Sequence, residues 1–186
     1  MENNINMPFY KLLLKGILNP ATVMEKYSEK KSSYLLLMVS SIAYLLFFLQ
    51  VGIDKLRVGT VEVGYVIKIA LIGFVVGYLG VLLVSILIWM MTKLFKGDWS
   101  LNKVTGCIAI SYSSTLVYMV CGILAQLILG WNTAITFGIT GLLWSLFPVA
   151  NSIKKITKNN ISATVIITTI SGILFMFIWS LILIIG

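Results

Sequence analysis

The residue types that catalyse reactions in proteins are scarce in this sequence. It contains no histidine, which excludes a histidine-based catalytic triad and an imidazole metal site within the chain. The acidic residues lie in polar stretches or near the ends of apolar ones, at Glu2, Glu25, Glu29, Asp54, Glu62 and Asp98. No glycine-rich phosphate loop with its lysine is present. We therefore expect a non-enzymatic protein with no metal and no other cofactor.

The most concentrated polar chemistry is a run of hydroxyl-bearing residues inside an apolar stretch. The run consists of Ser111, Tyr112, Ser113, Ser114 and Thr115. Consecutive residues of a helix point in every direction around its axis, so some must face a neighbouring helix, a cavity or the helix's own carbonyls. Two interpretations follow: hydrogen bonds that join helices, or a polar lining for a substrate or lipid path. Under either, we predict that Tyr112 and at least two of the three serines face the interior of a helix bundle.

One basic residue, Lys68, falls at the edge of an apolar stretch. A lysine inside the bilayer would mark a functional site. Alternatively, its side chain extends to the lipid headgroups, or its helix continues beyond the lipid. The uncharged residues from Ile69 to Met91 are already enough to cross a bilayer, which favours the second interpretation.

Three glycines recur at helical spacing in the same stretch. Gly73, Gly77 and Gly80 share one face of a helix, and the first two form a small-xxx-small motif. This motif allows two helix backbones to approach closely. We expect the face to pack against another helix of the same chain, with dimerisation as the alternative.

Membrane-spanning helices must position these residues. Hydrophobic residues make up 59% of the 186 residues and charged residues 11%, whereas about 25% of a soluble domain is charged. Apolar stretches long enough to cross a bilayer lie at about 33–50, 63–91, 104–129, 133–149 and 162–185. They do not alternate in polarity as barrel strands would, so we predict an all-α integral membrane protein with a bundle of five transmembrane helices. Pro148 is expected to kink or end the fourth helix.

The basic residues indicate the orientation. Eleven of the 14 lie before the first stretch or in the second and fourth loops, and three lie elsewhere, at Lys55, Arg57 and Lys68. The positive-inside rule then places the N-terminus in the cytoplasm and the C-terminus outside a cytoplasmic membrane. This distribution also explains the net charge of +8 without a nucleic-acid partner, because the lysines flank apolar stretches instead of forming a patch with aromatic residues.

Residues 1–31 form a separate cytoplasmic segment ahead of the transmembrane domain, residues 32–186. Phe9, Leu13 and Ile17 recur at helical spacing, while two lysines fall between them. The pattern predicts an amphipathic helix that lies in the membrane interface and contacts anionic lipids of the inner leaflet.

Three sequence segments, together with the five spans, resemble the Yip1 domain family. They are Leu18-Asn19-Pro20, the segment Phe95–Leu101 before the third span, and Ile110–Ser114, which is similar to the family's Gly-Tyr-Ser segment. Ser111 stands where the family often has glycine, and a proline commonly found a few residues later is missing. The chain looks most like the compact prokaryotic members, some of which are similar to accessory proteins of ABC-type exporters. Binding of small GTPases, a property of eukaryotic members with a long N-terminal segment, is not carried over.

Two functional hypotheses remain open. The missing chemistry and the resemblance favour a scaffold or accessory subunit, serving an exporter or an envelope-stress system and bound to a membrane-protein partner or to a second copy. The alternative is a small transporter or lipid-moving protein that uses the polar run of the third span. A transporter needs a polar cavity that reaches the middle of the membrane, whereas a scaffold can have a closed core and an exposed face of small residues.

Overall fold

The computed structural model describes Lys11, Leu14, Lys15 and residues 33–185. Within residues 33–185 it is all helical, with helices α1 (Ser33–Arg57), α2 (Val63–Leu94), α3 (Leu101–Leu129), α4 (Ala134–Ile156) and α5 (Ile161–Ile185). All five are long and apolar enough to cross a membrane. The fold class is therefore confirmed: the chain is an all-α, multi-pass integral membrane protein. The interfacial helix predicted within residues 1–31 lies almost entirely outside the described residues.

Two helices extend about two turns past their predicted ends. The first was expected to end near Gln50, but α1 continues to Arg57. The fourth was expected to kink or end at Pro148; it does not end there, since α4 continues to Ile156. A proline removes one backbone N–H from a helix. Because Pro148 is buried within the bundle, packing by the neighbouring helices supports the helix through that position.

Local capping chemistry sets the ends of α3 and the start of α5. The Ser100 hydroxyl accepts a hydrogen bond from the backbone N–H of Lys103 at 3.3 Å, and Asn160 Oδ1 accepts one from the N–H of Ala163 at 3.0 Å. Such caps satisfy the unpaired donors of a helix start. At the other end of α3, Gly130 has a φ of 70°, the left-handed conformation that ends many helices.

Helix α1 occupies the centre of the bundle. It packs along α2 and α3 and also contacts α4, while α4 and α2 each contact α5. In the most apolar stretch of α1, 67% of the residues are buried inside the bundle, against 28% in that of α5. The outward faces of the surrounding helices carry exposed aliphatic side chains, such as Leu83, Leu127 and Val165, as lipid contact requires.

The two lysine-rich loops lie against each other at one end of the bundle. The ammonium of Lys158 is 3.6 Å from the carboxylate of Asp98, and both side chains are about 65% exposed, so this ion pair contributes at most about 1 kcal/mol. A β-carbon at Gly97 would lie 2.8 Å from the Thr92 carbonyl oxygen and 3.0 Å from Ile156. The glycine therefore allows the loop between α2 and α3 to pack closely against the end of α4.

Candidate functional site

The polar run of α3 lies mainly inside the bundle. Ser111, Tyr112, Ser113 and Thr115 are buried, and Ser114 is half-buried. Tyr112 is among the largest side chains with no exposed surface. The run therefore faces α1, α4 and α5 rather than lipid, and its chemistry depends on what those helices offer.

The serines of the run donate to carbonyls of their own helix. The Ser111 hydroxyl donates to the Cys107 carbonyl at 2.9 Å, and that of Ser113 donates to Ile110 at 2.6 Å. Ser114 donates to the carbonyl of Ser111 at 3.1 Å. A serine can reach the carbonyl three or four residues back without any neighbouring helix, which is why the expected interhelical bonds are absent from these three serines in the described structure.

Thr115 supplies the one interhelical hydrogen bond that the structure gives this run. Its hydroxyl donates to the Gly141 carbonyl of α4 at 2.8 Å. A β-carbon at Gly141 would lie 3.1 Å from the Thr115 methyl group, so the glycine allows the two helices to approach. This bond fixes the register of α3 against α4.

Aromatic side chains surround Tyr112. Its ring centroid lies 5.8 Å from that of Tyr44 on α1 and 5.5 Å from that of Phe175 on α5, the latter in an edge-to-face arrangement at 87°. Phe47 extends the cluster to Trp179, 5.3 Å away. Within the part of the chain that the structure describes, neither phenol hydroxyl nor the Trp179 indole N–H has a hydrogen-bond partner. The aromatic cluster is thus held together by the packing of its rings.

The space beside this cluster is very small. A void of about 10 Å³ lies among Tyr44, Phe47, Thr115, Met119 and Trp179, with apolar atoms on its walls. A water molecule needs about 10–15 Å³ and several polar partners. The void therefore suits no solute.

The glycine face of α2 is used within the chain. A β-carbon at Gly73 would lie 2.5 Å from the Phe48 ring, and one at Gly77 would lie 2.9 Å from both the Ser40 carbonyl oxygen and the Ser41 α-carbon. Gly80 faces α5 instead, where the nearest atom belongs to Ile178 at 3.3 Å. The three glycines therefore bring α1 and α5 close to α2.

A second polar cluster, which the sequence reasoning missed, joins the ends of α1, α3 and α4. Gln50 and Gln126 have no exposed surface. Gln50 donates to the Met119 carbonyl at 3.0 Å, and Gln126 donates to the Gln50 carbonyl at 2.8 Å. The Thr133 hydroxyl, at the start of α4, donates to the Gly122 carbonyl at 2.9 Å. We call Gln50, Asp54, Arg57, Gln126 and Thr133 the glutamine cluster.

Two charged residues complete the glutamine cluster. The Gln126 amide donates to Asp54 Oδ1 at 2.5 Å, and the Arg57 guanidinium donates to the Gln126 carbonyl. That carbonyl belongs to the last turn of α3, where carbonyls lack partners within the helix and a cation is favourable. Gly122 makes room for the cluster, since a β-carbon there would lie 2.5 Å from Gln50 Oε1.

The family profile of the Yip1 domain matches residues 15–182. The chain belongs to the Yip1 domain family. No curated protein and no solved structure gives a significant match to it. The family assignment agrees with the bundle of transmembrane helices in the structure.

Two of the three segments that resemble the family take defined places in this Yip1 domain, and Leu18-Asn19-Pro20 lies outside the described residues. Phe95–Leu101 forms the short connection into α3, where the Trp89 indole N–H donates to the Trp99 carbonyl at 3.2 Å. The Lys103 ammonium lies 4.3 Å from the Trp99 ring centroid, a cation–π contact. Ile110–Ser114 lies in the buried half of α3. One segment thus shapes a loop at the membrane surface, and the other fills the core.

Lys68 lies on the outside of this Yip1 domain. Its side chain is exposed on α2, five residues after the helix begins at Val63. It contacts none of the buried polar residues described above. Its exposure agrees with a side chain that reaches toward headgroups and not with an interior charge.

Proposed function

We propose that this Yip1 domain is a non-enzymatic scaffold or accessory subunit in a prokaryotic cytoplasmic membrane, where it serves an exporter or an envelope-stress system. The packed aromatic centre of the bundle is the observation that supports the proposal. The centre is filled by Tyr44, Tyr112 and Phe175, and the void beside them has about 10 Å³. A protein that moves a solute or lipid through its core needs a polar cavity at this depth.

An aromatic face on α4 supports a protein partner. Trp144 is 56% exposed, stacks on Tyr118 at 6.4 Å and lies ten residues after α4 begins at Ala134. Phe147, one turn later, is 64% exposed. Tryptophan is enriched at membrane interfaces, where its indole N–H meets polar groups, and not near the middle of a span. A partner helix, or a second copy of this chain, would cover the two rings and supply an acceptor.

Photo-crosslinking in native membranes tests this role. Benzoylphenylalanine at position 147 is compared with the same residue at position 83, because Phe147 and Leu83 are similarly exposed, at 64% and 60%. We expect a discrete adduct with an integral membrane protein from position 147 only, and mass spectrometry identifies it. Lipid adducts alone from both positions would contradict the proposal. If the protein carries lipid or solute across proteoliposome membranes and the Tyr112→Phe variant does not, the transporter hypothesis is supported instead.

We also propose that the N-terminus and the lysine-rich loops face the cytoplasm, next to anionic lipids, and that the C-terminus faces outward. The distribution of basic residues, eleven against three, supports this orientation. Single cysteines at Lys96 and Gly186, introduced after replacement of Cys107 and Cys121, allow a test with a membrane-impermeant thiol reagent. In intact cells we expect the Gly186→Cys variant to react and the Lys96→Cys variant to react only after permeabilisation. The reverse pattern would refute the orientation.

A further inference from the structure

Lys68 stands at the head of an apolar groove on the surface of α2. The groove is shallow and open, and residues of α2 alone line it: Lys68, Leu71, Ile72, Val75 and Val76. These positions recur every three or four residues, so they form one continuous stripe of the helix. Leu71 and Val75 are 61% and 53% exposed. The groove therefore opens toward lipid, with a charge at one end and aliphatic side chains along the rest.

The depth of the groove follows from the length of α2. The helix has 32 residues and is about 48 Å long at 1.5 Å per residue. The hydrocarbon core measures about 30 Å, so several residues at each end of α2 lie among headgroups. Lys68, about 7.5 Å along the helix from Val63, reaches the phosphate level with its flexible side chain. The aliphatic positions from Leu71 to Val76 then lie in the hydrocarbon of the same leaflet.

The charge of Lys68 has no acidic partner among the described residues. Among the described residues, the structure pairs no carboxylate with its ammonium; the ion pair it records joins Lys158 and Asp98. An unpaired ammonium at the level of the headgroups attracts the phosphate of a lipid. The groove runs from this charge toward the centre of the membrane, which is the direction of an acyl chain below its phosphate.

We propose that α2 binds one anionic phospholipid, with its phosphate on Lys68 and one acyl chain along the groove. Charge complementarity selects the headgroup, and the stripe from Leu71 to Val76 holds the chain. The site is independent of the scaffold role, because the groove lies on α2 and the aromatic face lies on α4. A lipid here would extend the surface of α2 and stabilise its first turns against the bilayer.

Native mass spectrometry of the full chain, titrated with phosphatidylglycerol, tests the charge. The Lys68→Gln variant is compared with Lys154→Gln, which removes an equally exposed charge from the last turn of α4. We expect about fivefold weaker binding of phosphatidylglycerol for Lys68→Gln, the effect of losing one lysine near a lipid headgroup, and a clearly smaller loss for the Lys154→Gln control. Equal weakening by both variants, or equal affinity for phosphatidylcholine, would overturn the proposal.

A phosphatidylglycerol with a photoreactive acyl chain tests the groove. Leu79 and Leu83 provide an internal reference, since they are exposed on the same helix to 51% and 60% but lie outside the groove. We expect labelling to concentrate on residues 71–76 and to fall in Lys68→Gln. Uniform labelling along α2 would mean ordinary annular lipid and refute the site. Displacement by glycerol phosphate alone would show recognition of the headgroup without the groove, which also contradicts the proposal.

Discussion

Replacement of Gly77 by alanine is expected to lower the stability of the protein strongly. A β-carbon at this position would lie 2.7 Å from the β-carbon of Tyr44 and 2.9 Å from the Ser40 carbonyl oxygen. Because backbone atoms of α1 are among these neighbours, the added methyl group must push the two helices apart. Overpacking of this kind costs about 1–3 kcal/mol, or roughly 2–4 °C per kcal/mol for a chain of this size. We expect the melting temperature in detergent to fall by about 2–12 °C.

Gly64 provides a matched control in the same helix. A β-carbon at Gly64 would have no neighbour within 4 Å, so the Gly64→Ala variant should be as stable as the wild type, or more stable by about 0.5–1 kcal/mol through helix propensity. If the Gly77→Ala variant has the same melting temperature as Gly64→Ala, the close approach of α1 and α2 is contradicted. Loss of a dimer without a change in monomer stability would instead place the glycine face between two chains.

The positions of the helices were largely predictable because lipid imposes a simple requirement. A segment that crosses the membrane must form its backbone hydrogen bonds within itself and present apolar side chains to lipid. Long uncharged runs therefore identify the spans. The small-xxx-small motif of Gly73 and Gly77 likewise predicted a close contact with another helix, because glycines leave room for a neighbouring backbone. Which helix it contacts depends on the tertiary arrangement, and there the structure pairs both glycines with α1.

The glutamine cluster was not predictable by the same reasoning. Gln50 looked like the polar end of the first span, yet α1 continues for seven residues after it. Polar side chains can stay within a helix when acceptors and donors of other helices reach them, and here those partners lie 69 to 83 residues away in the chain. A glutamine at the edge of an apolar stretch, followed within a turn by Asp54, was the local signal available. It could not identify Gln126 and Thr133 as the partners.

For the polar run of α3, the sequence predicted the location of the side chains but not their hydrogen bonds. Polar side chains in a membrane helix tend to face other helices instead of lipid, so interior positions were expected. The structure buries Tyr112 accordingly. The bonding pattern did not follow, because a serine hydroxyl has two satisfactory choices, its own helix or a neighbour. The structure uses the first choice for the serines and the second for Thr115. The hydroxyls alone therefore say little about whether a path or a packed core surrounds them.

Paired substitutions of Tyr112 distinguish packing from polar chemistry. The Tyr112→Ala variant leaves a cavity against Tyr44 and Phe175, whose ring centroids lie 5.8 Å and 5.5 Å from that of Tyr112. Truncation of a buried aromatic side chain costs about 3–5 kcal/mol in soluble proteins. We expect about 3 kcal/mol here, since a side chain released from a membrane core still meets lipid instead of water. The melting temperature should fall by about 6–12 °C, whereas Tyr118→Ala, at a half-buried position of the same helix, should cost less.

The Tyr112→Phe variant removes the hydroxyl and keeps the ring. Among the described residues this hydroxyl has no hydrogen-bond partner, and a buried unpaired polar group costs about 1–3 kcal/mol. We therefore expect Tyr112→Phe to melt at or above the temperature of the wild type, measured by the same detergent assay. A loss as large as that of Tyr112→Ala would mean that the hydroxyl has a partner in the native protein. The aromatic cluster would then depend on a hydrogen bond of Tyr112 as well as on the packing of its rings.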